Sequence, residues 1–137
     1  MPVRVERLDH LVLNVRDVEA SAAWYARVLA MERTDFAPGN GQPSRTALTF
    51  GNQKLNLRPV ETDPAAWFTA ARPSAGSDDL CFITTADPAE VIAHLRDCGV
   101  VVETGPVGKQ GALGPMTSVY CRDPDGNLIE IATYPTA

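Results

Sequence analysis

The chain writes one pattern twice. "LDHLVLNVRDVEASAAWYARVLAM" (8–31) returns, altered but alignable, as "SDDLCFITTADPAEVIAHLRDCGV" (77–100). Each copy opens on an acid, crosses a short apolar stretch to an aspartate and enters a segment of helical period. Such a repeat fixes the unit from which a fold is built. Short extended runs follow each helix: 32–36, 45–50 and 54–60 in the first copy, 100–104, 116–121 and 127–134 in the second. The turn sequences "GNQ" (51–53) and "DPDGN" (123–127) join the last two runs of each copy, as hairpin chemistry requires. Each half therefore reads β-α-β-β-β. The expectation is a single α+β domain over 1–137, made of two modules, about 1–60 and 77–137, joined by a linker over 61–76. The Gly-rich "GPVGKQGALGP" (105–115) is expected to be an irregular lid or linker loop, since no helix start follows it to form a phosphate cradle.

The helix boundaries have local causes. Asp17 can cap a helix whose apolar stripe is Val18, Ala22, Tyr25 and Leu29, at near-helical spacing. Asp87 precedes Pro88 at the first helical position, with Glu90 placed for a capping box. Val91, Ile92, Leu95 and Cys98 then face the core, and Gly99 suits a left-handed C-terminal position. The comparable stop in the first helix is Ala30, a residue less tolerant of that conformation.

At 137 residues the chain can bury a real core, and 45% hydrophobic with 21% charged residues is ordinary for a globular protein. A net charge of −5 without a basic stripe argues against a nucleic-acid partner. The N-terminus has no signal-peptide pattern, and no stretch approaches the roughly 18 apolar residues of a membrane span. Three cysteines without a C-x-x-C pair suit a reducing cytoplasm. Cys81 and Cys121, inside expected strands, read as small core fillers.

Alternation sorts each strand into two faces. Leu11, Leu13 and Val15 should pack under the helix, leaving His10, Val12 and Asn14 on the other side. In the last strand Ile129 and Ile131 oppose Leu128, Glu130 and Ala132. The duplication pairs His10 with Asp79 and Asn56 with Glu130. If the two halves form one curved sheet, all four polar positions converge in its hollow. A buried carboxylate needs a partner or a raised pKa, and an imidazole with two carboxylates is metal-ligand chemistry. The alternative is structural: His10 is a satisfied core or surface histidine, and Glu130 pairs with Arg58 or Arg122.

"LDHLVLNVRDVEASAAWYARVL" and "RDPDGNLIEI" resemble the opening and closing signatures of the vicinal-oxygen-chelate superfamily, which includes glyoxalase I, bleomycin-resistance proteins and extradiol dioxygenases. "FGNQKLNLRPV", "GSDDLCFIT" and "GPVGKQGALGPMTSVYCRDPDGNLIEI" look closest to the glyoxalase-domain-containing 5, virulence-protein-like group. The resemblance implies paired βαβββ modules forming an open, cup-shaped mixed sheet around a divalent metal. It carries two ligands onto His10 and Glu130. It also implies a histidine where this chain has Asp79, a Glu or Gln where it has Asn56, and a histidine where it has Arg58, so the metal site is incomplete relative to the family. The implied function is a metal-dependent lyase, isomerase or dioxygenase acting on a small oxygen-rich substrate. In it His10, Glu130 and Asp79 would be ligands to Mn, Fe or Zn, Glu130 and Asp79 would be catalytic, and Arg58 and Asn56 would bind substrate. The competing expectation is a metal-free binding protein that sequesters a small molecule, as bleomycin-resistance proteins do. A homodimer is expected in either case.

Overall fold

The computed structural model describes residues 1–136. The chain divides after Ser74 into two units. The first contains β1 (His10–Val15), α1 (Val18–Leu29), β2 (Glu32–Phe36), β3 (Arg45–Phe50) and β4 (Gln53–Pro59). The second contains β5 (Asp79–Ile83), α2 (Pro88–Asp97), β6 (Thr104–Gly111), β7 (Gly114–Arg122) and β8 (Leu128–Thr133). Each unit has its own four-stranded mixed sheet, in order β1-β4-β3-β2 and β5-β8-β7-β6. The first strand of each lies parallel to the last, and the remaining pairs are antiparallel. Register repeats as well: Val12 stands opposite Asn56, and Cys81, its counterpart, opposite Glu130.

In the first unit Leu13, Val15, Leu48, Leu55 and Leu57 are buried along with Ala22, Tyr25 and Val28 of α1, which packs on β3 and β4. Asp17 caps the helix by accepting from the Ala20 N–H at 3.0 Å. Ala30 does end it in the left-handed region, at φ 55°, where the Met31 N–H bonds back to the Tyr25 carbonyl at 3.3 Å and offsets the Cβ penalty. The buried face of α1 is centred on Ser21, Trp24, Tyr25 and Val28, and Leu29 is half-buried. Leu11 is likewise only half-buried, because it lies near the start of β1.

In the second unit Val119, Cys121, Ile129 and Ile131 are buried with Val91 and Leu95 of α2, which packs on β7 and β8. Asp87 occupies the N-cap but makes no side-chain cap bond, so Pro88 alone supplies the local start signal. Gly99 takes the left-handed conformation, φ 73°.

Three expectations are corrected here. Residues 105–115 are not a loop: they form most of β6 and the tight turn into β7, with Gly111 paired to Gly114. The strand expected over 100–104 begins only at Thr104. β6 is the edge of its sheet, and an edge strand tolerates the Gly and Pro that made this stretch read as irregular. Cys81 is not core filler either. It lies on the side of β5 facing away from α2 and is exposed, while Cys121 is fully buried. Among the described residues no helix is long and apolar enough to cross a membrane.

Candidate functional site

Each sheet has a face opposite its helix, and the chain's unusual polar residues lie on those two faces. In the second unit, Glu130 has Cys81 beside it on β5 and Tyr120 beside it on β7. Ser118, one alternation along β7 and completely buried, donates to Glu130 Oε2 at 2.6 Å. That bond fixes the carboxylate's orientation and leaves Oε1 free of it. Glu130 lines a recess of about 340 Å³ with Asp79, Tyr120 and Lys109 among its other walls. The Lys109 ammonium stands 5.8 Å from the Tyr120 ring centre, over its face.

The electrostatics follow from that crowding. Partial burial, then the Glu130 carboxylate, push the Tyr120 phenol up to about 12, so at neutral pH it is a hydrogen-bond donor and not an anion. Cys81 is exposed, yet the surrounding protein withdraws enough water to disfavour a thiolate. Desolvation first, then Glu130, raise its pKa to about 11. A thiol so shifted is a poor nucleophile at neutral pH.

The first unit presents a different set. His10 is exposed, and its Nδ1 lies 2.9 Å from Asp9 Oδ2. The bond to His10 holds the Asp9 carboxyl below its ordinary range. A carboxylate on Nδ1 selects the tautomer in which Nε2 offers its lone pair outward, as in metal-binding histidines. Asn56 is 7% exposed, and its Oδ1 is buried with no hydrogen-bond partner among the described residues. Such an orphan acceptor is costly unless something donates to it.

Arg58 has another kind of environment. It is fully buried. Its Nε donates to the Trp67 carbonyl at 3.1 Å. One terminal nitrogen donates to Asn14 Oδ1 at 2.8 Å and the Val60 carbonyl at 3.4 Å. The other donates to the Thr62 and Trp67 carbonyls at 2.7 and 2.9 Å. Those bonds account for all five guanidinium N–H groups, so none is left for a substrate anion. Arg58 instead ties the segment after β4 to the sheet. Neither arginine considered as a partner for Glu130 bonds it, since Arg122 is paired with Glu103 at 2.7 and 3.0 Å.

Of the residues singled out from sequence, Asp79 and Glu130 therefore share one recess. His10 and Asn56 lie on the corresponding face of the first sheet. Among the described residues of either unit, no three His, Cys, Asp or Glu side chains gather as a ready metal cage. Within each unit the donors fit a divalent ion by type: an imidazole nitrogen and an orphan amide oxygen in the first, two carboxylates in the second. Sequence reasoning missed Asp9, Ser118 and Lys109. Ser118 and Tyr120 alternate in phase with Glu130, a signal readable only once the β7–β8 register is known.

The family model for the Glyoxalase/Bleomycin resistance protein/Dioxygenase superfamily matches residues 7–131. The Virulence protein STM3117 of Salmonella typhimurium is 42% identical over 132 residues, 95% of this chain and 85% of that protein. An ethylmalonyl-CoA/methylmalonyl-CoA epimerase of Cereibacter sphaeroides is 30% identical over 132 residues, covering 93% of this chain and 97% of its own. A solved structure from the mobile metagenome of V. Pseudocholerae superposes with a TM-score of 0.91 at 41% identity, over 99% of this chain and 100% of that one.

Proposed function

Because the chain belongs to the Glyoxalase/Bleomycin resistance protein/Dioxygenase superfamily, we propose that it is an enzyme of isomerase type that moves a proton next to a carbonyl on a small oxygen-rich substrate. The observation that carries this reading is Glu130, oriented by buried Ser118 in a recess shared with Asp79 and Tyr120. Glu130 takes the proton from the carbon beside the carbonyl as that C–H bond's electron pair moves toward the carbonyl oxygen. Tyr120, kept neutral by its surroundings, donates a hydrogen bond to the developing enolate oxygen. Asp79, on the same recess, acts in its acid form: it gives its proton to the same carbon from the other side, which inverts the stereocentre, and solvent then reprotonates Asp79 as Glu130 releases the proton it took. The epimerase relative performs an inversion by name, which favours this class over a dioxygenase.

Superfamily members commonly use a divalent ion, and here each unit has donors for one: His10 Nε2 and Asn56 Oδ1 in the first, Asp79 and Glu130 in the second. When bound, Mn, Fe or Zn would supply Lewis-acid polarisation of the substrate carbonyl. A homodimer belongs to the same proposal. The second reading is capture of a small molecule without chemistry, favoured by there being no three-residue cage among the described residues of either unit.

Solvent-deuterium exchange separates the two. Wild type and Glu130→Gln are incubated in D₂O with a panel of 2-oxo acids, 2-methyl-branched acids and their thioesters, with and without added Mn²⁺ or Zn²⁺. Incorporation beside the carbonyl by wild type, lost in Glu130→Gln, is the expected result. Saturable binding of panel compounds without incorporation would transfer the assignment to the capture reading.

A further inference from the structure

The first unit contains a second recess, of about 390 Å³, between the start of α1, the chain entering β3 and the segment after β4. We propose that it binds a small apolar carboxylate. It lies in a different unit from the Glu130 recess, so it stands or falls independently of the reaction proposed above.

Its walls are mainly apolar: Pro43, Leu57, Pro59, Ala66 and Trp67. They are also held in place. The buried Arg58 guanidinium grips the carbonyls of Thr62 and Trp67, so the far wall is tied to β4 and does not hang as a free linker. A preorganised apolar hollow of this size takes a compact ligand with little ordering cost.

The charges at the rim choose the ligand's sign. Two charged side chains line the recess, Glu19 and Arg45. Glu19 is already gripped through both oxygens by Arg33, which holds its carboxyl below the ordinary range. Arg45 stacks over the Trp67 ring with its guanidinium carbon 3.9 Å from the centroid. Among the described residues its side chain makes one hydrogen bond, a long 3.5 Å contact to the Ala66 carbonyl, and no ion pair. The Thr46 hydroxyl donates to Asp35 at 2.7 Å and so does not compete for an anion. What remains unmatched is a planar cation, stacked in position at the edge of an apolar hollow. A carboxylate with an apolar body satisfies both, with its oxygens on the fork of Arg45 and its body against Leu57 and Trp67.

The test is amide NMR of the full chain titrated with sodium benzoate, with benzyl alcohol as the uncharged comparison. Benzoate should cause saturable shifts confined to Ser44–Thr46, Leu57 and Ala66–Trp67. Arg45→Gln, which keeps hydrogen bonding but not charge, should weaken binding by roughly tenfold, the scale of one charge-assisted bond. Benzyl alcohol should bind both proteins equally poorly. Ala66→Leu, a change at an exposed wall position, should exclude benzoate and leave other resonances in place. Absence of saturable shifts, equal benzoate affinity in Arg45→Gln, or shifts centred elsewhere would each overturn the proposal.

Discussion

Arg58 and Cys81 illustrate how far a side chain's surroundings redirect its chemistry. Arg58 stands opposite Asn14 of β1 and bonds it there, on the helix-free face. Its other partners were not legible, because they are backbone carbonyls of the segment after β4, whose path no periodicity encodes. Cys81 shows the opposite case: a strand position alone does not bury a side chain, and its alternation phase puts it on the exposed face beside Glu130. That neighbour makes a measurable difference. In a Cys98→Ser background, with Cys121 fully buried, alkylation by iodoacetamide should follow the Cys81 thiolate. Its rate should keep rising toward a midpoint near 11, above the ordinary 9.0. In Glu130→Gln the midpoint should fall, though not to the ordinary value, because desolvation, the larger cause, remains. An unchanged midpoint in Glu130→Gln would mean that the carboxylate does not face the thiol.

At the scale of elements, both helices and the hairpins at 51–53 and 123–127 were readable because capping residues and turn chemistry act locally. β6 was not. Its Gly105, Pro106, Gly108 and Gly111 are loop composition, and only the edge position and a register shift between Thr104 and Val107 make them acceptable in a strand. The glycines are not equivalent. Gly105 has φ +127°, and a Cβ there would lie 2.7 Å from the Ser118 carbonyl oxygen and 2.9 Å from Val119 Cα, both backbone atoms that cannot step aside. At Gly108 a Cβ would meet nothing within 4 Å. Gly105→Ala should therefore cost about 1–3 kcal/mol, while Gly108→Ala should lie near zero. Urea midpoints of the two variants check this, and equal midpoints would show that β7 does not press on Gly105. Because Ser118 sits at that contact and orients Glu130, the same close approach joins the edge strand to the proposed base.

For the whole molecule, the duplication was the most legible feature, since two copies of one pattern had to give two copies of one topology. The equivalence extends to individual positions, His10 with Asp79 and Asn56 with Glu130, and that carried half of the recess from sequence. Tyr120 and Lys109 on its walls, and Ser118 bonded to Glu130, depended on pairing between β6, β7 and β8, which the loop-like composition of the edge strand concealed. The duplicated positions have also diverged in a chemically pointed way: imidazole and amide in the first copy, two carboxylates in the second. The first copy offers a nitrogen and an amide oxygen and the second carboxylate oxygens, each a donor type that Mn, Fe or Zn accepts. Elemental analysis of the purified protein, with light scattering on the same sample, tests what the mixture is for. We expect one of these metals and a mass of twice 14.7 kDa. His10→Ala or Glu130→Gln should weaken metal retention, and both should leave the urea midpoint close to wild type, because both side chains lie outside the apolar cores. Loss in one variant alone would assign the ion to that residue's unit. A wild type that never takes up metal, even from added Mn²⁺ or Zn²⁺, would leave Glu130 and Asp79 as proton-transfer groups and His10 as a surface residue held by Asp9.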